Sequence, residues 1–140
     1  MKNIKYKTSE IREYYAFNRR TWDEFYKSER EIVSRVMRLA GSDISILDVG
    51  CAAGGLGFAL NDHFNVINYI GLDINKSVIE YAKRQDVPVG GKFRFIHGDI
   101  ADSSLFSERE IFDLVISFGC VDWNVNFRKS LEACWALVKP

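Results

Sequence analysis

The sequence predicts an α/β fold with a doubly wound, mainly parallel sheet. From residue 44 onward, short apolar runs alternate with helical stretches, as they do when helices cover both faces of a parallel sheet. Three of the four runs end at or just before an aspartate, and these aspartates stand about 25 residues apart, close to the ~30 residues of one βαβ unit. With 140 residues, 47% of them hydrophobic, the chain can bury one core.

The first 43 residues predict a helical cap segment. Between Ser9 and Ala40, apolar residues recur at intervals of three and four, which predicts one or two amphipathic helices that end at Gly41. Its aromatic side chains, including Tyr14, Tyr15, Phe17 and Trp22, either pack as helix core or form a lid over a ligand.

Residues 44–140 predict the α/β core. The candidate strands are "ISILDV" (44–49), "VINYIGL" (66–72), "FRFIH" (93–97) and "FDLVISF" (112–118). A helix between the first two strands would bury Leu56, Ala59, Leu60 and Phe64. A second helix would begin near Asn75 and bury Val78, Ile79 and Ala82. The last apolar stripe comprises Phe127, Leu131, Cys134, Trp135 and Val138.

Composition excludes several classes of function. The 19 basic residues equal the 19 acidic ones, so no large positive field favours nucleic acid. The three cysteines are dispersed and form no cluster with the two histidines, which argues against a disulfide framework or a metal site. No apolar run approaches the ~18 residues of a membrane span. We expect a cytoplasmic protein with no membrane partner.

The acidic residues at the strand ends indicate the type of ligand. In doubly wound sheets, ligands bind beyond the carboxyl ends of the strands, where the strand order reverses. A dinucleotide pyrophosphate on the glycine-rich bend would lie close to Asp48, and like charges repel each other strongly at a partly buried site. A cationic ligand without phosphate, such as S-adenosylmethionine, reverses the sign of this interaction.

Four motifs carry a family resemblance. "ILDVGCAAGG", "IGLDINKSVIEYAK", "FIHGDI" and "FDLVISFGCVDW" resemble, in order and spacing, those of class I S-adenosylmethionine-dependent methyltransferases, which have a Rossmann-like core. The resemblance covers about residues 44–139. It implies that Asp48, Gly50 and Gly54 border the methionine moiety, that Asp73 binds both ribose hydroxyls, and that Asp99 accepts from the adenine amine.

The remaining candidate residues follow from the same positions. Ile74 and Ile100 could sandwich the adenine, and Ala52, which stands where the family has a glycine, should be tolerated with a slightly altered loop. Asp122 could orient or deprotonate an acceptor and Trp123 could pack against it, or Asp122 could simply cap the next helix. The full set of predicted cofactor-binding residues is Asp48, Gly50, Cys51, Ala52, Gly54, Asp73, Ile74, Asp99, Ile100 and Ser117.

The predicted function is a methyltransferase that acts on an oxygen or nitrogen of a small-molecule acceptor, with S-adenosylhomocysteine as the second product. The sequence does not indicate which acceptor. Two alternatives stay open, namely an NAD(P)-dependent oxidoreductase and a non-catalytic cofactor-binding or scaffolding module. The family usually continues with further strands after "LVKP", so we expect an incomplete core whose open sheet edge favours self-association.

Overall fold

The protein is described by a computed structural model that covers residues 9–107, 109–123 and 125–140. Residues 1–8 of the predicted cap segment lie outside the described residues. The described helices are α1 (Ser9–Phe17), α2 (Lys27–Ala40), α3 (Gly55–Phe64), α4 (Lys76–Ala82) and α5 (Phe127–Ala136). The strands are β1 (Ser45–Val49), β2 (Asn68–Asp73), β3 (Lys92–His97) and β4 (Leu114–Ile116). Short 3-10 turns span Trp22–Glu24, Ser103–Leu105 and Val121–Trp123.

The four strands form one parallel sheet in the order β3-β2-β1-β4. The chain winds outward from β1 to β3 and then returns to place β4 on the other side of β1, so the strand order reverses between β1 and β4. The predicted α/β fold with a doubly wound parallel sheet is confirmed. All four carboxyl ends lie along the same edge of the sheet, where Asp48 is the last residue but one of β1 and Asp73 is the last residue of β2.

Two apolar layers cover the sheet. On one face, α2, α3 and α4 bury side chains against Ile46, Tyr69 and Phe95. On the other face, the segment around Ile100 and the helix α5 pack against Leu47, Val49 and Leu72. The predicted core positions of α4, which are Val78, Ile79 and Ala82, are all buried. Of the four predicted for α3, Leu56, Ala59 and Leu60 are buried and Phe64 is half-buried.

The N-terminal segment contains two helices joined by a turn, where the sequence predicts one or two helices. Helix α2 ends at Gly41, which has a φ of 77°, a left-handed conformation that glycine adopts without strain. The Trp22 ring stacks on His63 with a centroid distance of 5.0 Å, so both residues serve packing here. No helix in the described part of the chain has the length and apolarity needed to cross a membrane.

The open edge of the sheet departs from the sequence prediction in two respects. Residues 112–118 were predicted as one strand, but only Leu114–Ile116 pair with β1, and Phe112 instead bridges to Val138. The predicted apolar stripe of α5 is only partly covered, because Trp135 is 78% exposed and Leu131 is half exposed, while Cys134 is buried. Within the described residues, β4 is the last strand on this side of the sheet.

Candidate functional site

The glycine-rich bend between β1 and α3 is tied to the neighbouring strand β2. The backbone N–H groups of Gly50 and Cys51 both donate to the carbonyl oxygen of Leu72, at 2.8 and 3.1 Å. Gly54 has a φ of 79° and turns the chain into α3. Gly55 is required by a close approach, because a Cβ atom there would overlap the carbonyl oxygen of Arg19. The bend is therefore held from below by the sheet and covered by the N-terminal segment.

The Asp73 carboxylate connects the end of β2 to this bend. Its Oδ2 accepts from the backbone N–H of Ala52 at 2.9 Å, and its Oδ1 accepts from the backbone N–H of Asn75 at 2.8 Å. Burial raises the pKa of Asp73, and these two backbone N–H groups oppose that rise. Each oxygen keeps a lone pair after these bonds, so the carboxylate can still accept from two vicinal hydroxyl groups.

The side chain of Asp48 is almost completely buried beneath the bend. It is 4% exposed, and its Oδ2 accepts a 2.5 Å hydrogen bond from the hydroxyl of Tyr69, itself fully buried. Within the described residues, Oδ1 of Asp48 accepts no hydrogen bond. Burial raises the pKa of Asp48 to about 7, against the opposing effect of the Tyr69 hydrogen bond.

A small cavity lies between Asp48 and the N-terminal segment. The volume open to water-sized groups is about 40 Å³, which is room for a few water molecules or a group of similar size. The bend supplies its floor, and the opposite walls come from Tyr15, Asn18, Arg19, Phe25 and Phe118. The cavity is therefore bordered by a buried carboxyl group with one oxygen that no described residue contacts.

Arg19 brings a positive charge to the same cavity. Its guanidinium donates to both carboxylate oxygens of Glu29, at 2.9 and 3.0 Å, and lies 4.6 Å from the centre of the Phe25 ring. The side chains of this ion pair are 20% and 14% exposed. Removing one partner of this pair would leave a poorly solvated charge on the other, so the two side chains stabilise the site only together.

Asp99, which follows β3, is less buried than Asp48. Oδ1 of Asp99 accepts from the backbone N–H of Ala101 at 3.0 Å, a local turn that leaves its second carboxylate oxygen without a described partner. Ile100 is 7% exposed and belongs to the second apolar layer, whereas Ile74 is half-buried. Ring nitrogen Nε2 of His97 lies 3.1 Å from the carbonyl oxygen of Ile74.

Comparison with known proteins decides the family. A family model described as "Methyltransferase domain" matches residues 40–140 of the chain. The chain belongs to this methyltransferase family. The predicted membership in the class I S-adenosylmethionine-dependent methyltransferases is confirmed, and with it the cofactor of the family, S-adenosylmethionine.

Individual relatives are more distant. A malonyl-[acyl-carrier protein] O-methyltransferase of Brevibacillus brevis is 26% identical over 69% of this chain and 34% of its own length. A U6 snRNA methylphosphate capping enzyme of Drosophila melanogaster is 32% identical over 59% of this chain and 32% of its own length. A SAM-dependent methyltransferase of Thiobacillus denitrificans, solved in complex with S-adenosyl-L-homocysteine, superposes with a TM-score of 0.64 at 23% identity, over 93% of this chain and 50% of that one.

The methyltransferase chain therefore spans about a third of the length of these curated relatives. The match to the solved structure supports the Rossmann-like fold.

A second, larger cavity of about 400 Å³ opens beside β4 in this methyltransferase fold. Phe118 borders both cavities, and Glu29 borders the larger one. Its other described lining residues are Val115, Ile116, Ser117, Gly119, Val121, Asp122, Phe127, Leu131 and Cys134.

The segment after β4 carries the predicted acceptor-side residues. Asp122 is exposed and lines the larger cavity. Ser117 accepts a 3.2 Å hydrogen bond from the backbone N–H of Val121 and so stabilises the turn after β4. Trp123 lies in the 3-10 turn Val121–Trp123, but its side chain is outside the described part of the structure.

Sequence reasoning missed several residues around the bend. Tyr69 was placed on a strand without a role, and Phe25 and Phe118 were placed on a helix and a strand end. No local sequence pattern distinguishes a tyrosine that donates to a carboxylate on the neighbouring strand from one that only packs in the core.

Cys51 is buried against Gly71, and burial raises its pKa well above the usual range, as suits a packing residue. Among the described residues, no group of three or more His, Cys, Asp or Glu side chains is placed to hold a metal ion.

Proposed function

We propose that this chain binds S-adenosylmethionine on the glycine-rich bend and transfers its methyl group to an oxygen or nitrogen of a small-molecule acceptor. The observation that carries the proposal is the buried Asp48 carboxyl beside a cavity the size of a charged head group. A pyrophosphate there would meet a carboxylate in a poorly solvated site, whereas an α-ammonium would be attracted to it.

Three aspartates near the strand ends each bind a different part of the cofactor. Asp48 accepts from the methionine ammonium, and Asp73 accepts from the two ribose hydroxyls while its backbone bonds to Ala52 and Asn75 hold it in place. Asp99 accepts from the adenine amine. Each charge-assisted bond of this kind contributes about 1.5–3 kcal/mol.

The remaining predicted residues shape the site. Gly50, Cys51, Ala52 and Gly54 offer the backbone of the bend to the ligand, and Ser117 stabilises the turn beside it. Ile74 contacts one face of the adenine. Ile100 contributes only an edge, because most of its side chain lies in the core.

The acceptor enters through the larger cavity beside β4. Phe118 lines both cavities, so an acceptor in the larger one would lie close to the bend. When bound, the sulfonium supplies a methyl group on a good neutral leaving group, so this chain needs to provide little acid or base assistance. Positioning and exclusion of water account for most of the rate, with Asp122 orienting the acceptor and Trp123 packing against it.

The names of two relatives and the charge of this chain bear on the kind of acceptor. The Brevibacillus relative is named as an O-methyltransferase of a malonyl group on a carrier protein, which favours an oxygen acceptor. The Drosophila relative is a capping enzyme of an RNA, but this chain has a net charge of zero, which favours a small molecule. We further propose a cytoplasmic protein without a membrane partner, which self-associates through the open edge of β4.

Calorimetric titration with S-adenosylhomocysteine and, separately, with NAD tests this function. We expect binding of S-adenosylhomocysteine in the micromolar range and no heat with NAD. Binding of NAD alone would overturn the proposal in favour of an oxidoreductase. Transfer of a radiolabelled methyl group from S-adenosylmethionine to carboxylate, hydroxyl and amine acceptors then separates an enzyme from a non-catalytic binding module, which would bind but show no transfer.

A further inference from the structure

We infer that Tyr69 is a positioning residue for cofactor binding: its hydroxyl holds the Asp48 carboxyl group with one oxygen free for the methionine ammonium, and binding of that ammonium expels a proton from Asp48. This inference rests on the proposed function and extends it to a residue on a different strand. It makes the affinity for the amino-acid end of the ligand depend on pH, while the nucleoside end binds independently of Asp48.

The geometry fixes which oxygen of Asp48 is available. Tyr69 on β2 lies next to β1, and its hydroxyl contacts Oδ2 of Asp48 at 2.5 Å. Asp48 lines the small cavity, and its Oδ1 has no hydrogen-bond partner among the described residues. The Tyr69 ring is itself immobilised, because it packs under Gly57 of α3 and beside the rings of Phe93 and Phe95. A rigid donor therefore sets the orientation of the carboxyl group.

The charge of Asp48 depends on what occupies the cavity. Burial disfavours the carboxylate and raises the pKa of Asp48 to about 7, so the group in the ligand-free protein is about half protonated at pH 7. An ammonium beside the free oxygen stabilises the carboxylate and lowers that pKa. Each time the ligand binds to protein with a protonated Asp48, this residue releases one proton to solvent.

The charged and titratable groups around Asp48 come from several elements. Arg19, in the segment after α1, lowers the pKa of Asp48, whereas Asp73 at the end of β2 and Glu29 on α2 raise it. The thiols of Cys51 and Cys120 have pKa values raised by burial and stay neutral over the relevant range. Arg19 is paired with Glu29, so Asp48 is the group close to the ammonium site whose charge changes near pH 7. Asp73 faces the ribose, and a ligand without the amino-acid portion controls for it.

The test compares S-adenosylhomocysteine with 5′-methylthioadenosine, which carries the same nucleoside and thioether but lacks the ammonium. Titrations at pH 6.0 in buffers of different ionisation enthalpy count the protons released. We expect about 0.9 proton released per S-adenosylhomocysteine bound, and none from Asp48 with methylthioadenosine. Between pH 5.5 and 7.0 the affinity for S-adenosylhomocysteine should rise roughly 15-fold, and that for methylthioadenosine should not follow this rise.

Two variants assign the effect to the pair. In Tyr69→Phe the hydrogen bond that lowers the pKa of Asp48 is lost, so the pH profile should move upward by about one pH unit and the affinity for S-adenosylhomocysteine at pH 7 should fall about fivefold. Asp48→Asn should bind it with an affinity independent of pH and without proton release. Tyr81→Phe, a tyrosine on α4 away from the bend, is the matched control and should behave as wild type.

The failures are distinguishable. If S-adenosylhomocysteine binds to the wild-type protein with no proton release, or if Tyr69→Phe has the wild-type pH profile, the positioning role is wrong and the proposed function survives. If S-adenosylhomocysteine does not bind at any pH, both are wrong. Should Tyr69→Phe not fold, protein labelled with 3-fluorotyrosine replaces it. The more acidic hydroxyl at position 69 should strengthen the bond to Asp48 and move the pH profile downward, and an unchanged profile would refute the positioning role.

Discussion

The backbone N–H of Ala52 donates a 2.9 Å hydrogen bond to the carboxylate of Asp73. This contact ties the glycine-rich bend after β1 to the end of β2, so the residue expected to bind ribose also holds the loop expected to carry the methionine portion. Ala52 has a φ of 48°, a left-handed conformation that costs a non-glycine residue energy. The hydrogen bond to Asp73 helps to offset that cost.

Replacement of Asp73 should therefore weaken both the ligand and the fold. In Asp73→Ala we expect the affinity for S-adenosylhomocysteine to fall at least tenfold, because two charge-assisted bonds to the ribose are lost. The free energy of unfolding should fall by about 1–2 kcal/mol, because the Ala52 and Asn75 N–H groups lose their acceptor. Calorimetry and urea denaturation measure the two effects. Asp86→Ala removes an exposed carboxylate elsewhere and should change neither; an unchanged affinity in Asp73→Ala would refute the ribose assignment.

The raised pKa of Asp48 predicts how stability depends on pH. Because the folded-state pKa of about 7 lies above the ordinary aspartate value of 3.8, the folded protein binds more protons than the unfolded chain between about pH 4 and pH 7. Stability contributed at this site is thus present below pH 4 and is lost as pH rises to 7. Asp48→Asn should become more stable relative to wild type by a few kcal/mol across this range. Parallel urea-denaturation profiles for the two proteins would contradict the raised pKa.

Gly57 should be needed for the packing of α3 on Tyr69. A Cβ atom at position 57 would lie 2.6 Å from the Tyr69 ring, closer than a Cβ atom packs against another carbon. Gly57→Ala should lower the free energy of unfolding by about 1–2 kcal/mol, since overpacking exceeds the gain in helix propensity. In the background of Tyr69→Ala the same substitution should be neutral or stabilising. A loss of the same size in both backgrounds would show that the ring is not the cause.

Asp113 links the start of β1 to the residues after α5. It accepts hydrogen bonds from the backbone N–H and the hydroxyl of Ser45 and from the ammonium of Lys139, and the Lys139 contact, followed by those of Ser45, lowers its pKa to about 2. Its stabilisation is present above about pH 4 and is lost as pH falls toward 2. Because the side chain is partly exposed, Asp113→Asn should cost about 1 kcal/mol or less at pH 7. Thermal denaturation at pH 7 and pH 2.5 checks this, since the cost should shrink at the lower pH.

The exposed α5 stripe should affect association rather than folding. Trp135 is 78% exposed, so Trp135→Ser should change the free energy of unfolding by about 0.5 kcal/mol or less. If copies associate through the edge of β4, the same change should weaken self-association in sedimentation experiments. Val89→Ser, in the exposed loop before β3 on the opposite edge, is the matched control. Equal self-association of both variants would remove the β4 edge as the interface.

The fold was accessible from the sequence because its signals are local. Each buried strand reads as a short apolar run, and the N-cap of α4 was predicted at Asn75, whose side chain does accept from the N–H of Ser77. The length of β4 was not accessible in the same way. Whether residues such as Phe112 join a strand depends on which neighbour pairs with them, and this is a property of the sheet as a whole.

The sequence predicted the positions of the acidic residues in the candidate site but not the residues that contact them. The positions of Asp48, Asp73 and Asp99 followed from the ends of the apolar runs. Their partners did not: Tyr69 reaches Asp48 from the adjacent strand, and Arg19 reaches the bend from the N-terminal segment. Contacts between residues far apart in sequence leave no periodic pattern, so only the three-dimensional structure shows them.

A crystal structure of the protein with S-adenosylhomocysteine tests most directly whether the acidic residues at the strand ends bind a cationic nucleoside. We expect the α-ammonium within hydrogen-bond distance of Oδ1 of Asp48 and the ribose hydroxyls within hydrogen-bond distance of the Asp73 carboxylate. A nucleoside bound elsewhere, or an NAD pyrophosphate resting on the bend beside Asp48, would contradict it.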